Sequence, residues 1–247
     1  VTEEAARASR FGFGEAELLA SHPELLGELA GLGTFTWRFG FIDYASMYRR
    51  SAADVETVLE HRSCRRLREL ALDLSYGETI PAVEAIGSAW RPNLRALLLQ
   101  QYYVTDGDGD DWVQPRHDHH SVDRVWPQLP RLHKLELRAW DLFSTIAHDE
   151  LAEIVISDGN PFCWDSKGPW RLPALAKLTW AYATDLTGTG TDVDPEYLEW
   201  LWRADLPALR HVDLTGTRCA SWVTQPILDV EPLRTLVGRL ETFRIGA

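Results

Sequence analysis

The residues best suited to chemistry are the carboxylates Asp106, Asp108 and Asp110, spaced by glycine, and the cluster His117-Asp118-His119-His120 that follows. Alternating carboxylates suit a hard cation such as calcium. The calcium-loop pattern also asks for glycine at its sixth position and glutamate at its twelfth, where this chain has Asp111 and His117. A transition metal held by His117, His119 and His120 with Asp118 is the other option. Neighbouring histidines in a polar tract also bind metal adventitiously, so the segment reads first as a solvated insertion loop. A metal-binding sensor or metal-dependent enzyme built on residues 106–120 is the alternative.

No catalytic set emerges elsewhere. Cys64, Cys163 and Cys219 are odd in number and widely separated, which fits neither a disulfide framework nor a zinc site. None has a His/Asn context for nucleophilic catalysis, and a lone cysteine behaves as a small core residue. Thr187-Gly188-Thr189-Gly190-Thr191 lacks the lysine and spacing of a phosphate loop and reads as a turn. His211 and Asp213 share one strand face and could pair, but with no nucleophile beside them. The expectation is therefore a non-enzymatic protein without a cofactor.

With 37 acidic against 25 basic residues, the net charge of −12 repels phosphate backbones and anionic membranes, and no Lys/Arg run offsets it. No window approaches a membrane span, and the acidic, alanine-rich start is unlike a signal peptide. These features point to a cytoplasmic protein with no nucleic-acid or membrane partner.

The elements that position these residues are set by a repeat. The frame L-x-x-L-x-L recurs at Leu67-Leu70-Leu72, Leu94-Leu97-Leu99 and Leu132-Leu135-Leu137. It continues at Leu175-Leu178-Trp180, Leu209-Val212-Leu214 and Leu240-Phe243-Ile245, with Ile42-Ala45-Met47 as a degraded first copy. Leu129-Pro130-Arg131, Leu172-Pro173-Ala174 and Leu206-Pro207-Ala208 lead into three copies, and Arg91-Pro92-Asn93 varies the theme. The last two apolar positions alternate with polar ones, as in a half-buried strand. So short a strand cannot bury its own apolar side; stacked beside its neighbours it adds to a continuous core. The expected architecture is an α/β solenoid: a curved parallel sheet on the concave face, helices and loops on the convex face. Residues 42–247 would form one continuous domain of about seven irregular repeats, behind an N-terminal helical and strand cap at 1–41.

Helices are expected on the return paths. Ser51 caps one running to about His61, with Val55, Val58 and Leu59 on one face. Thr79 and Pro81 open a second bearing Val83, Ile86 and Trp90; residues 149–156 form a third presenting Leu151, Ile154 and Val155. Asp194-Pro195 starts a fourth, through about Arg203. In the cap, 15–20 and 23–30 read as helices and 34–40 as a strand. Of the 11 tryptophans, Trp37, Trp90, Trp180 and Trp202 are expected in the core. Trp112, Trp126, Trp140, Trp164 and Trp170 would pin the inserted loops.

In register, the strands would expose three columns. The first runs Tyr44, Glu69, Ala96, Lys134, Lys177, His211, Thr242; the second Ser46, Ala71, Leu98, Glu136, Thr179, Asp213, Arg244. The third begins Tyr48, Asp73, Gln100, Arg138. Such mixed chemistry suits a protein partner, or a merely solvated sheet. After the last strand only Gly246-Ala247 remain, so that edge is expected to be uncapped and open to self-association.

Over residues 40–245 the chain resembles bacterial leucine-rich-repeat proteins of the irregular, cytoplasmic type. The frames carry the likeness, as do the segments Leu59–Leu72 and Leu206–Gly216. The resemblance implies protein–protein interaction and supplies no catalytic residues. The usual asparagine after the strand is missing; Asp73, Gln100, Arg138, Ala181, Thr215 and Gly246 stand there instead.

Overall fold

The computed structural model describes residues 29–102, 122–139, 142–158, 170–180, 204–214 and 235–245. The alternation read in each frame becomes a strand with one buried face. Strands β1 (Thr34–Arg38), β2 (Phe41–Tyr48), β3 (Glu69–Ser75), β4 (Ala96–Tyr102) and β5 (Lys134–Arg138) are followed by β6 (Glu153–Asp158), β7 (Lys177–Trp180), β8 (His211–Leu214) and β9 (Thr242–Ile245). They form one nine-stranded sheet in sequence order. β1 runs antiparallel to β2, and every later neighbour is parallel. The protein is therefore α/β, with a single, mostly parallel open sheet.

The register is the one the frames predict. Ala45, Leu70, Leu97, Leu135, Ile154, Leu178, Val212 and Phe243 lie side by side on successive strands. All but half-buried Phe243 belong to the buried core. Burying one such side chain is worth about 2 kcal/mol, so the aligned row is a major stabilising feature.

Two backbone devices recur with the repeat. In six of the frames the opening residue donates its N–H three residues back: Leu67 to Cys64, Leu94 to Arg91, Leu132 to Leu129, Leu175 to Leu172, Leu209 to Leu206 and Leu240 to Val237, at 2.9–3.3 Å. Proline at the second position of such a turn is pre-set for it, which explains the Leu-Pro lead-in. The carbonyl just before each strand then accepts two N–H groups from the next rung. Arg68 O receives Arg95 and Ala96, Arg95 O receives His133 and Lys134, and His133 O receives Ala152 and Glu153. Ala152, Ala176 and Arg210 continue the same fork.

The segment 149–156 is not the expected helix. Residues 153–158 form β6, with Ile154 and Ile156 fully buried and Val155 half-buried on the opposite face. Leu151-Ile154-Ile156 is a further copy of the frame, and consecutive β-branched residues favour the strand. His148 takes the place of the lead-in turn. Its Nδ1 accepts from Glu150 N at 3.1 Å, so the proton sits on Nε2, which donates to Leu129 O at 2.7 Å.

Helix α1 (Ala52–Glu60) begins at Ser51 as expected, in a capping box with Asp54, and buries Val55, Val58 and Leu59. Helix α2 spans Tyr76–Gly87, starting earlier than Thr79 because β3 runs straight into it through Ser75, and Pro81 lies inside it. Because α2 ends at Gly87, Trp90 falls beyond it and is 60% exposed rather than in the core. Trp37 and Trp180 are buried as expected, and so are Trp126 and Trp170 from the inserts. Trp126 donates to Thr145 O at 2.9 Å and packs on Phe143. The cap helix at 15–20, residues 23–28 of the second, the helix at 194–203, and Trp112, Trp140, Trp164 and Trp202 lie outside the described residues, while residues 29 and 30 form a turn closed by Leu32 N donating to Leu29 O.

The β1–β2 hairpin turns through Phe39 and Gly40, at φ 53° and 78°, with Arg38 paired to Phe41. Two successive positive φ values define a turn that favours Asn-Gly, and phenylalanine there is strained. Phe39→Asn is expected to raise stability by about 1 kcal/mol, read as the shift of a urea midpoint at unchanged m.

Candidate functional site

The open face of the sheet brings together the residues expected there and adds one row. Tyr44, Glu69, Ala96, Lys134, Glu153, Lys177, His211 and Thr242 are consecutive register partners. Ser46, Ala71, Leu98, Glu136, Val155, Thr179, Asp213 and Arg244 form the second column. At a strand spacing of about 4.8 Å, each column runs on the order of 30 Å. Tyr48, Asp73, Gln100 and Arg138 align in the third, towards the C-terminal ends of the strands.

Sequence position alone did not reveal how these charges pair. Glu136 lies between Lys134 and Arg138, at 3.6 and 3.7 Å, and Lys177 reaches Glu153 at 2.8 Å. Arg244 approaches Asp213 at 3.8 Å; His211 bonds Thr242 through Nδ1 and faces Glu241 at 3.7 Å. These solvent-exposed pairs are each worth under about 1 kcal/mol, so a binding partner could exchange them at little cost. Arg138 also donates to Ser157 Oγ at 2.7 Å and to Gln100 Oε1 at 3.4 Å.

At the ends of β2–β4 the face changes character. Tyr48 is 60% exposed. Arg49 follows it at φ 51° and places its guanidinium 5.1 Å from both the Tyr48 and Tyr102 ring centres. Each cation–π contact contributes about 0.5–1 kcal/mol at an exposed site, enough together to offset the left-handed backbone. Asp73 lies in the same register row as Tyr48, and one of its carboxylate oxygens is buried without a hydrogen-bond partner. Burial pushes its carboxyl above the usual range, against the opposing pull of Arg49 and Arg138. Half-buried Ala71, Ala96 and Leu98 form a low floor between these groups and the β5 charges. The cluster thus offers aromatic surface, a fixed cation and an under-solvated carboxylate within one patch.

Sequence reasoning reached Tyr48 and Arg138 by register but missed Arg49 and Tyr102, which lie outside the frame. Glu153 was missed with β6, although Leu151-Ile154-Ile156 signals it. The proposed metal ligands Asp106, Asp108, Asp110, His117, His119 and His120 lie outside the described residues, as do Cys163, Cys219 and residues 187–191. Among the described residues, no three His, Cys, Asp or Glu side chains are grouped to hold a metal, and no helix is long and apolar enough to cross a membrane.

No family model, curated protein or solved structure matches the chain.

Proposed function

We propose that the chain is a leucine-rich-repeat solenoid whose open sheet face is its concave side, acting in the cytoplasm as a non-catalytic scaffold that holds a protein partner. The observation that carries this reading is the in-register exposed face ending in Tyr48, Arg49 and Tyr102. Tyrosine and arginine dominate interface hot spots, and here both are held in fixed geometry before a partner arrives. Charge pairs farther along the sheet supply orientation more than affinity. The net charge of −12 supports a protein partner over nucleic acid or an anionic membrane.

The test is quantitative capture from native extract, followed by titration of the purified partner. Tyr48→Ala is expected to weaken that complex about tenfold or more, as loss of a hot-spot tyrosine does. The triple charge reversal at Lys134, Glu136 and Arg138 is expected to slow association and alter its salt dependence. Undiminished binding by both folded variants removes the face from consideration.

A further inference from the structure

At the opposite end of the strands, where the chain enters β2–β4, lies a cleft of about 420 Å³. That volume is within the range of ligand-binding clefts. Among the described residues its lining carries Arg38, Arg66 and Arg68 and one acid, Asp43. Arg66 and Arg68 beside the one described carboxylate, with Arg38 in the same lining, make a cationic concavity on a chain whose total charge is −12. Arg66 and Arg68 come from a segment with four arginines in seven residues, 62–68, which corrects the expectation that no basic cluster exists, and Arg38 of the β1–β2 hairpin joins them.

Phe39, Phe41 and Asn93 complete the described lining. Arg66 sits 4.6 Å from the centre of the Phe41 ring, and Arg38 sits 5.5 Å from that of Phe39. A guanidinium over a ring keeps its in-plane N–H fork for an oxyanion. Phe39 is 76% exposed and stands on the strained turn described above. A large apolar side chain kept exposed on unfavourable backbone is poorly accounted for by folding alone.

We propose that this cleft binds an acidic peptide segment of a partner protein, its carboxylates on Arg66 and Arg68 and an apolar side chain against Phe39. Carboxylates are favoured over phosphate by Asp43, whose Oδ1 lies 3.6 Å from Arg68 Nε. That pair already shows one carboxylate accommodated at the arginine, whereas a dianion would meet greater repulsion from Asp43. The proposal stands whether or not the open sheet face binds a partner.

Fluorescence anisotropy with the labelled hexapeptide Ac-ELEELE tests it, with Ac-QLQQLQ as the uncharged counterpart. At 0.1 M salt, repulsion from the distant acids is screened beyond about 10 Å. The acidic peptide is expected to bind at least tenfold more tightly than its counterpart. The double variant Arg66→Gln/Arg68→Gln is expected to lose at least tenfold in affinity, while Tyr48→Ala changes nothing. Phe39→Asn separates binding from folding: affinity should fall several-fold while the melting temperature rises. Equal binding of the two peptides, or unchanged affinity in the folded double variant, overturns the proposal. If that variant does not fold, unchanged affinity in Phe39→Asn overturns it. Inorganic phosphate bound by calorimetry, with no peptide binding, would make the cleft a small-anion site and also refute the assignment.

Discussion

Ile156→Ala is expected to destabilise the protein by about 3 kcal/mol, and Val155→Ala by less than about 1 kcal/mol. Ile156 is fully buried in register with Leu137 and Trp180, whereas Val155 stands half-buried on the open face. Removing the Ile156 side chain forfeits its transfer free energy and leaves a cavity between two neighbours that cannot close up without moving their strands. The helix first expected over 149–156 assigns the larger loss to Val155, because it puts Val155 in the core. Urea unfolding of the two variants therefore measures whether this segment is a rung of the sheet. A greater loss for Val155 than for Ile156 would contradict both the strand and its register. At roughly 2–4 °C per kcal/mol for a chain of this size, the two melting temperatures should differ visibly.

The sheet was legible because its information is local and periodic. Each frame places two leucine-like residues two apart, and only one strand face can carry them, so register followed from aligning the frames. β6 escaped although its frame, Leu151-Ile154-Ile156, keeps the common spacing; buried His148 stands before it and replaces the usual turn with side-chain hydrogen bonds. The spacing of Leu151 and Ile154 also fits one helical turn, and only the buried Ile156 distinguishes the two readings. Trp90 was misplaced because apolar spacing does not mark where a helix stops. The patch at Tyr48 was half legible. Register supplied Tyr48, Asp73 and Arg138, but Arg49 reaches Tyr102 through a left-handed backbone that no residue type announces. The arginine–phenylalanine cleft is assembled from a hairpin, a 3-10 turn at Arg62–Arg66 and the approaches to β3 and β4. Two of its arginines, Arg66 and Arg68, were legible in the arginine-rich segment 62–68; folding adds Arg38 and the two phenylalanines.

Arg91→Met is the second change expected to cost heavily, by about 2–4 kcal/mol, although it removes a charge from a protein with no shortage of them. Arg91 is half-buried, and its guanidinium serves the last turns of both helices. Nε donates to Ile86 O at 2.9 Å, one terminal nitrogen to Ala85 O at 3.3 Å, and the other to Leu59 O at 3.4 Å. Those carbonyls lie near the negative ends of α1 and α2, where a cation is favoured. Methionine preserves much of the apolar stem but leaves the carbonyls without this donor. The loss should fall below the sum of three charged hydrogen bonds, because two are long and the guanidinium's own desolvation, which holds its pKa below the usual value, is recovered. Cys64 beneath it provides an independent readout. Burial pushes this thiol up to about 12 despite the opposing effect of Arg91. Its favourable contribution is thus fully present below the ordinary value of 9.0 and is lost as pH rises towards 12. At neutral pH it should react with a thiol reagent only through opening. With opening and closing fast relative to labelling, its rate tracks the open population, so 2–4 kcal/mol predicts roughly 30- to 700-fold faster modification in Arg91→Met. Peptide mapping assigns the modification to Cys64. An unchanged Cys64 rate beside a lowered urea midpoint would mean that Arg91 stabilises another region, and that the two helix ends do not depend on this one side chain.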